Sequence, residues 1–204
     1  MREMTITQGL AELKLLDARI NKATHQDAWC FAEANAKATD EYKAQKSDEL
    51  KARWESVMAL IKERNSIKSA IVASNAITEV KIGSLKMTVA EAIDYKMSIA
   101  YERAICDRLY TDLSAADERA EAMNARVQSR IDATMQNLAS SGTQNIAEAQ
   151  KAIFDNYMEK NGYQVLDPLN VKQRADELKA KIDEFEKNVD IALSVSNATT
   201  IITI

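Results

Sequence analysis

One proline and four glycines punctuate all 204 residues. These two residue types are the strongest local breakers of helix and strand. A chain this poor in them has few turns and runs in long elements. Ala, Glu, Lys, Asp, Leu and Ile dominate, the usage of helical hairpins and coiled coils. Apolar residues make up 46%, enough to bury a core, so disorder is not expected. The length suits one large domain or one elongated helical unit.

One phrase occurs twice, as Ser74-Asn75-Ala76-Ile77-Thr78 and as Ser196-Asn197-Ala198-Thr199-Thr200. Each follows a helical pattern and opens a strand-like run. Ser74-Asn75 and Ser196-Asn197 are therefore expected to end helices, since Asn tolerates the left-handed conformation found at helix C-termini. In the first run Ile77, Glu79 and Lys81 alternate with Thr78, Val80 and Ile82, and Gly83-Ser84 closes it. The second, Thr199-Thr200-Ile201-Ile202-Thr203-Ile204, is β-branched throughout. Left unpaired it is an aggregation hazard. Its partner is either the run at 77–82 or a neighbour's edge, joined by strand addition. Ile77, Thr78, Val80, Ile82, Thr199, Thr200, Ile201, Ile202 and Ile204 are the candidate assembly edges.

Helical periodicity fills the remainder. Thr5-Ile6-Thr7-Gln8 fits a capping box, followed by a stripe of Ile6, Leu10, Leu13, Leu16 and Ile20 that continues through Ala28, Phe31 and Ala32. A break is expected around 39–47. The second helix is expected over 48–73, with Leu50, Trp54, Val57, Met58, Ile61, Ile67 and Ile71 in its stripe. Thr88-Val89-Ala90-Glu91 is another capping box and opens a third helix. Its stripe of Ala92, Ile93, Met97, Ala100, Ala104, Ile105, Leu109 and Leu113 extends through Met123, Val127, Ile131, Met135 and Leu138. That is about fifty residues, or ~75 Å. A loop is expected at 140–143. A shorter helix restarts at Asn145 and Glu148, carries Ile153, Tyr157 and Met158, and closes at Asn161-Gly162. Asp167 is expected to be the N-cap of the last helix, with Pro168 at its first helical position. Leu169, Leu178, Ile182, Phe185, Val189 and Leu193 line that helix.

Met4-Thr5-Ile6 parallels Met87-Thr88-Val89, so the repeat exceeds the phrase. The expected fold is mainly α: two pseudo-repeated antiparallel helical hairpins, a coiled-coil-like bundle with two short β-strands at one end. Residues 1–86 form the first hairpin and strand. Residues 87–204 form a longer hairpin with an inserted tip at about 120–165 and the C-terminal strand. The alternative is one bundle with two β-extensions that pair with neighbouring subunits.

Chemical motifs are scarce. His25 is the sole histidine, which leaves a base or metal ligand without recognisable partners and rules out paired Glu-x-x-His di-iron motifs. Four glycines can hardly build a phosphate loop, a dinucleotide motif or a nucleophile elbow. No catalytic, cofactor-binding or metal-ligating residues are assigned, no cofactor is expected, and the chain is not expected to be an enzyme. Cys30 and Cys106 read as free buried thiols of a reducing compartment, or else as a bridge between neighbouring helices. Net charge is −4 and both signs are interspersed, so nucleic acid is not an expected partner. No apolar run reaches membrane-spanning length, and mixed-sign helix faces do not suit a membrane surface. No small-molecule substrate is evident. Met1-Arg2-Glu3-Met4-Thr5 lacks the apolar stretch of a signal peptide. Trp29, Phe31, Tyr42 and Trp54 read as hairpin packing, or as a partner-binding patch at a hairpin tip. Tyr95, Tyr101 and Tyr110 suit boundary positions.

From the Ser74-Asn75-Ala76-Ile77-Thr78 junction, through Met87-Thr88-Val89-Ala90-Glu91-Ala92-Ile93, to a last helix ending Asn197-Ala198-Thr199-Thr200, the chain resembles a family of small helical proteins of bacteria and tailed phages. Some members carry the label septicolysin-like. The resemblance covers roughly 50–110 and 170–204, with the N-terminal helix and the segment at about 120–165 departing from it. It implies helices that end Asn-x-x-Thr beside Thr-capped helices, and it offers no catalytic residues to carry over. The expected function is a non-catalytic structural protein that forms a homo-oligomer and meets other virion or assembly proteins in the collar, tail, baseplate or a fibre. It would lie in the virion if phage-encoded and otherwise in the cytoplasm. The alternatives are a cytoplasmic adaptor or assembly chaperone that holds a client, and a helical-bundle enzyme or metal protein.

Overall fold

The computed structural model describes residues 1–139 and 146–204. The loop expected at 140–143 and the restart at Asn145 lie outside the described residues. The chain is mainly helical, with two short antiparallel strand pairs. Its elements are β1 (Glu3–Thr5), α1 (Ile6–His25), α2 (Asp40–Ile77), β2 (Glu79–Ile82), β3 (Leu85–Thr88), α3 (Val89–Ala139), α4 (Ile146–Asn161), α5 (Val171–Thr199) and β4 (Ile201–Thr203). They form two compact units, one of residues 1–97 with 184–204 and one of residues 98–183.

In the first unit α1 and α2 run antiparallel. Asp17 bonds Arg64 at 2.5 Å and Asp27 pairs with Arg53 at 3.6 Å, so partner numbers fall along one helix as they rise along the other. Their shared core holds Met4, Ile6, Leu13, Leu16, Ile67, Ile71 and Ile202. Gly9 sits at the closest approach. A Cβ there would lie 3.2 Å from Ile71 and 3.3 Å from Ile202, so the missing side chain lets α2 and β4 close on α1. Thr24 accepts from the Trp29 indole, and Arg53 crosses the connecting segment. The Arg53 guanidinium donates to the carbonyls of Asp27 and Ala28 and lies 3.9 Å from the Trp29 ring centre. Trp29 and Trp54 meet edge to face at 6.0 Å.

In the second unit the later part of α3 lies along the start of α5. Lys181 bonds Glu102 at 3.0 Å, and Tyr110 donates to Asp176 at 2.5 Å. That bond, with burial, raises the Tyr110 hydroxyl to about 12. Cys106, Val127, Ile131, Ala175 and Ile182 are buried here. Asn124 clamps the main chain of Tyr163 just beyond α4, giving one hydrogen bond and accepting another.

Several expectations are corrected. The ribbons have four strands, not two. The C-terminal strand β4 pairs with β1, and β2 pairs with β3. Gly83-Ser84 is the reason β2 turns back at once: Gly83 has φ of 60° and no other residue of the turn is left-handed, as a two-residue type II′ hairpin demands. The first helix stops at His25 and the second begins at Asp40, with Thr39 accepting from the Tyr42 N–H as its cap. Helix α2 passes through Ser74 and Asn75 to Ile77, and α5 passes through Ser196 and Asn197 to Thr199. Neither Asn is left-handed. The only non-glycine residue so placed among the described residues is Asn170. It forces α5 to begin at Val171, so Asp167 reaches across a turn to accept from the Val171 N–H at 2.9 and 3.0 Å. Cys106 is free and buried, but Cys30 is free and exposed. In α3 the buried stripe is Val89, Ala92, Ile99 and Cys106, while Ile93, Met97 and Ile105 are exposed.

Ile202 is 4% exposed within the shared core, whereas its neighbour Ile201 is 62% exposed. Ile202→Ala is expected to lower the unfolding free energy by about 2–5 kcal/mol. Ile201→Ala should change it by less than about 0.5 kcal/mol. Urea unfolding of both variants measures the contrast, and equal effects would mean that β4 does not hold its register.

Candidate docking groove at the helix-to-strand junctions

The two repeated phrases make the same main-chain turn. The Thr78 N–H donates to the Ser74 carbonyl at 2.9 Å, and the Thr200 N–H donates to the Ser196 carbonyl at 2.9 Å. The freed threonine carbonyls then accept the first N–H of a helix: Thr78 from Val89 at 2.8 Å, Thr200 from Ile6 at 3.0 Å. A helix start leaves such N–H groups without intrahelical partners, so each bond satisfies a group that would otherwise need water.

Register follows from these bonds. Glu79, Val80, Lys81 and Ile82 lie opposite Thr88, Met87, Lys86 and Leu85. Ile201, Ile202 and Thr203 lie opposite Thr5, Met4 and Glu3. Arg2 and Ile204 exchange both main-chain bonds, at 3.1 and 3.0 Å. Hydrogen-bonded and non-bonded pairs alternate in an antiparallel ladder. The Thr78–Val89 bond therefore sets the phase, and the main-chain groups of Glu79 and Lys81 point away from β3. On the other side of the ribbon, the outward N–H of Thr88 is taken by the Glu91 carboxylate at 2.7 Å. Gln8 does the same for Thr5 at 2.9 Å. Both capping boxes are complete, since Gln8 and Glu91 also donate their N–H groups to the threonine hydroxyls. Among the described residues no such partner covers the outward main-chain groups of Glu79 and Lys81 in β2.

Beside that edge lies an open groove of about 440 Å³. Glu79, Val80 and Lys81 line it from β2, and Asn188, Ile191, Val195 and Ser196 line it from α5. Asn188, Ile191 and Val195 recur every three to four residues, as do Ala192, Ser196 and Thr199, which puts the lining on one broad helix face. Ile191 is 65% exposed and Val195 58%. Ser196 is buried at 7%, and its Oγ has no hydrogen-bond partner among the described residues. The groove thus offers main-chain donors and acceptors along one wall, apolar side chains on the other, and one unsatisfied hydroxyl. That is the chemistry of an extended strand's receptor.

The sequence-selected residues divide into three groups. Val80, Ile82 and Ile202 are buried beneath their ribbons, and Ile204 is half-buried. Thr78, Thr199 and Thr200 line the groove with Ser196. Ile77 and Ile201 are exposed beyond it, and Ser74, Asn75 and Asn197 are partly covered within their helices. Thr5 and Thr88 cap as their motifs require. Sequence reasoning missed the α5 wall, where Ile191 and Val195 fall off the apolar stripe that defines the core face. It also missed β1 and β3, although Met4-Thr5 and Met87-Thr88 marked their ends. His25 bonds the Asn21 carbonyl of its own helix. Among the described residues no group of three or more His, Cys, Asp or Glu side chains could hold a metal ion, and no helix is long and apolar enough to cross a membrane.

Hydrogen bonds from the Thr88 N–H and then its hydroxyl hold the Glu91 carboxyl below its ordinary value. A depressed carboxylate contributes stability above its unfolded value of 4.5, and loses it as pH falls through the lower folded value. Glu91→Gln should therefore be less stable than the parent at pH 7, with the gap closing in acid. Gln8→Glu should gain the same acid sensitivity in the other box. Denaturant unfolding across pH measures both, and a gap that ignores pH would sink the account.

No protein-family model matches this sequence, and neither a curated protein nor a solved structure matches the chain.

Proposed function

We propose that this chain is a non-catalytic structural protein that self-associates through its β-edges and helix faces. The septicolysin-like resemblance supports a place in a tailed-phage particle, in the collar, tail, baseplate or beside a fibre. The observation that carries this reading is the uncovered β2 edge flanked by exposed apolar side chains. Ile77, Ile191, Val195 and Ile201 are all more than half exposed around the junctions. Exposed apolar surface beside a free strand edge marks an interaction site. Helix α3 adds Ile93 and Met97 in the first unit, and Tyr101 and Ile105 in the second. The lone histidine and four glycines weigh against catalysis. In this reading the long helices act as rigid spacers, and the halves at 1–86 and 87–204 are two related hairpins. The matched Thr78 and Thr200 bonds and the matched capping boxes support that kinship.

Light scattering behind size-exclusion chromatography tests the proposal on the full chain. The mass is expected to exceed one chain and to rise with concentration, and mass spectrometry of purified particles should find the protein. A monomer at every concentration, absent from particles, overturns it.

The hairpin tip favours a second reading, that of an adaptor or assembly chaperone. Phe31 and Trp54 are about half exposed there. Asp27, Lys46 and Glu49 line a small cleft beside Phe31. This reading predicts one co-purifying partner that is lost in Trp54→Ala, with the mass of the isolated protein unchanged. Retention of that partner by the variant removes the tip from consideration.

A further inference from the structure

We infer that the occupant of the β2 edge is the β2 edge of a second copy, paired antiparallel about a two-fold axis through Val80. The inference rests on the self-association reading and names its interface. Three observations carry it: the direction of the main-chain groups, the order of charges along the strand, and an ionic imbalance within the ribbon.

The outward main-chain groups of β2 belong to Glu79 and Lys81, two residues apart on either side of Val80. In an antiparallel pair centred on Val80, Glu79 lies opposite the second copy's Lys81, and Lys81 lies opposite the second copy's Glu79. These become the hydrogen-bonded pairs, each exchanging both main-chain bonds, and Val80 meets its own symmetry mate at a non-bonded position. An isologous contact needs this self-complementarity, in which residue i meets j and j meets i.

The side chains agree with the main chain. Glu79 and Lys81 both project from the exposed face of β2. Two-fold pairing sets each carboxylate directly across from an ammonium, a favourable cross-strand pair. Within one chain Lys81 instead lies directly opposite Lys86, a like-charge pair. Lys86 finds relief in Glu79 at 2.5 Å, while Lys81 forms no ion pair among the described residues. The second copy's Glu79 supplies the missing countercharge. A strand edge that only guards against pairing needs charge of one sign. This one carries opposite signs at the spacing that makes it complementary to itself. Pairing also extends each ribbon across the groove and covers Ile191 and Val195, the exposed side chains of its far wall.

Charge exchange tests the inference on the full chain. Glu79→Lys and Lys81→Glu, each measured alone by sedimentation equilibrium, are expected to weaken self-association by about tenfold or more. An equimolar mixture of the two should recover parental affinity as a heterodimer, because every cross-strand pair is again of opposite sign. Lys81→Glu also guards against a folding artefact. It keeps the Glu79–Lys86 pair and replaces the Lys81–Lys86 repulsion, so its thermal midpoint should be no lower than the parent's while its association falls. A parent that associates but ignores both substitutions overturns the β2 pairing and leaves self-association through another face. A mixture no tighter than the single variants also overturns the pairing. A parent that stays monomeric overturns both the pairing and the self-association reading beneath it.

Discussion

The bond between the Thr78 carbonyl and the Val89 N–H, with its counterpart between Thr200 and Ile6, is the constraint on which the first unit depends. Each joins the end of one helix to the start of another through main chain alone. The threonine N–H stays tied to the carbonyl four residues back, so the helix does not fray, and its own carbonyl is turned to the next helix. Strand phase then has no freedom. Val80 and Ile82 must face inward, and Glu79 and Lys81 must present their amides outward. The capping boxes take the outward N–H groups of Thr5 and Thr88, which closes one side of each ribbon.

A two-stranded ribbon is marginal in water by itself. These two persist because their alternate residues complete a helical core. Met4 and Ile202 sit among Ile6, Leu13, Leu16, Ile67 and Ile71, and Gly9 lets that cluster close to van der Waals distance. Arg2 straps β1 to α1 through two bonds to Glu12, at 2.7 and 2.8 Å. Burial beneath the ribbon and hydrogen bonding along it stabilise the same register, which is how segments of three and four residues hold a fixed pairing.

Helices, capping boxes and strand alternation were legible because each is a local pattern. Thr5 with Gln8, and Thr88 with Glu91, announce themselves within four residues, and the inward positions of β2 follow from period two. Pairing was less legible, since β4 meets β1 from the far end of the chain and no local pattern in residues 201–204 names its partner. Ser74-Asn75 misled because Asn is common at helix ends, yet here the turn is made by main chain three residues later and the Asn remains helical. The connecting segment at 26–39 misled for another reason. Ala28, Phe31 and Ala32 continue an apolar period, but Arg53 and the two tryptophans fix that segment through bonds to its carbonyls and an aromatic contact. The groove was legible only on its β2 side. Its α5 wall consists of apolar residues off the core stripe, which read as incidental until a strand edge is placed beside them.

The choice of buried stripe in α3 bears on what surrounds the protein. Two apolar stripes run along this helix, one of Ala92, Ile99 and Cys106, the other of Ile93, Met97 and Ile105. The fold buries the first. The buried stripe mixes the small Ala92 and Cys106 with the branched Val89 and Ile99. Packing alone requires only that the outward positions stay out of the core, and a Lys or Glu would satisfy that. Several of them carry Ile, Met and Tyr instead, at four-residue spacing. Scattered single apolar residues need no explanation, but a periodic row does. In the first unit the exposed Ile191 and Val195 also line the groove beside β2. Under the proposed self-association, exposed apolar rows such as that of Ile191 and Val195 are the surface that a second chain would cover.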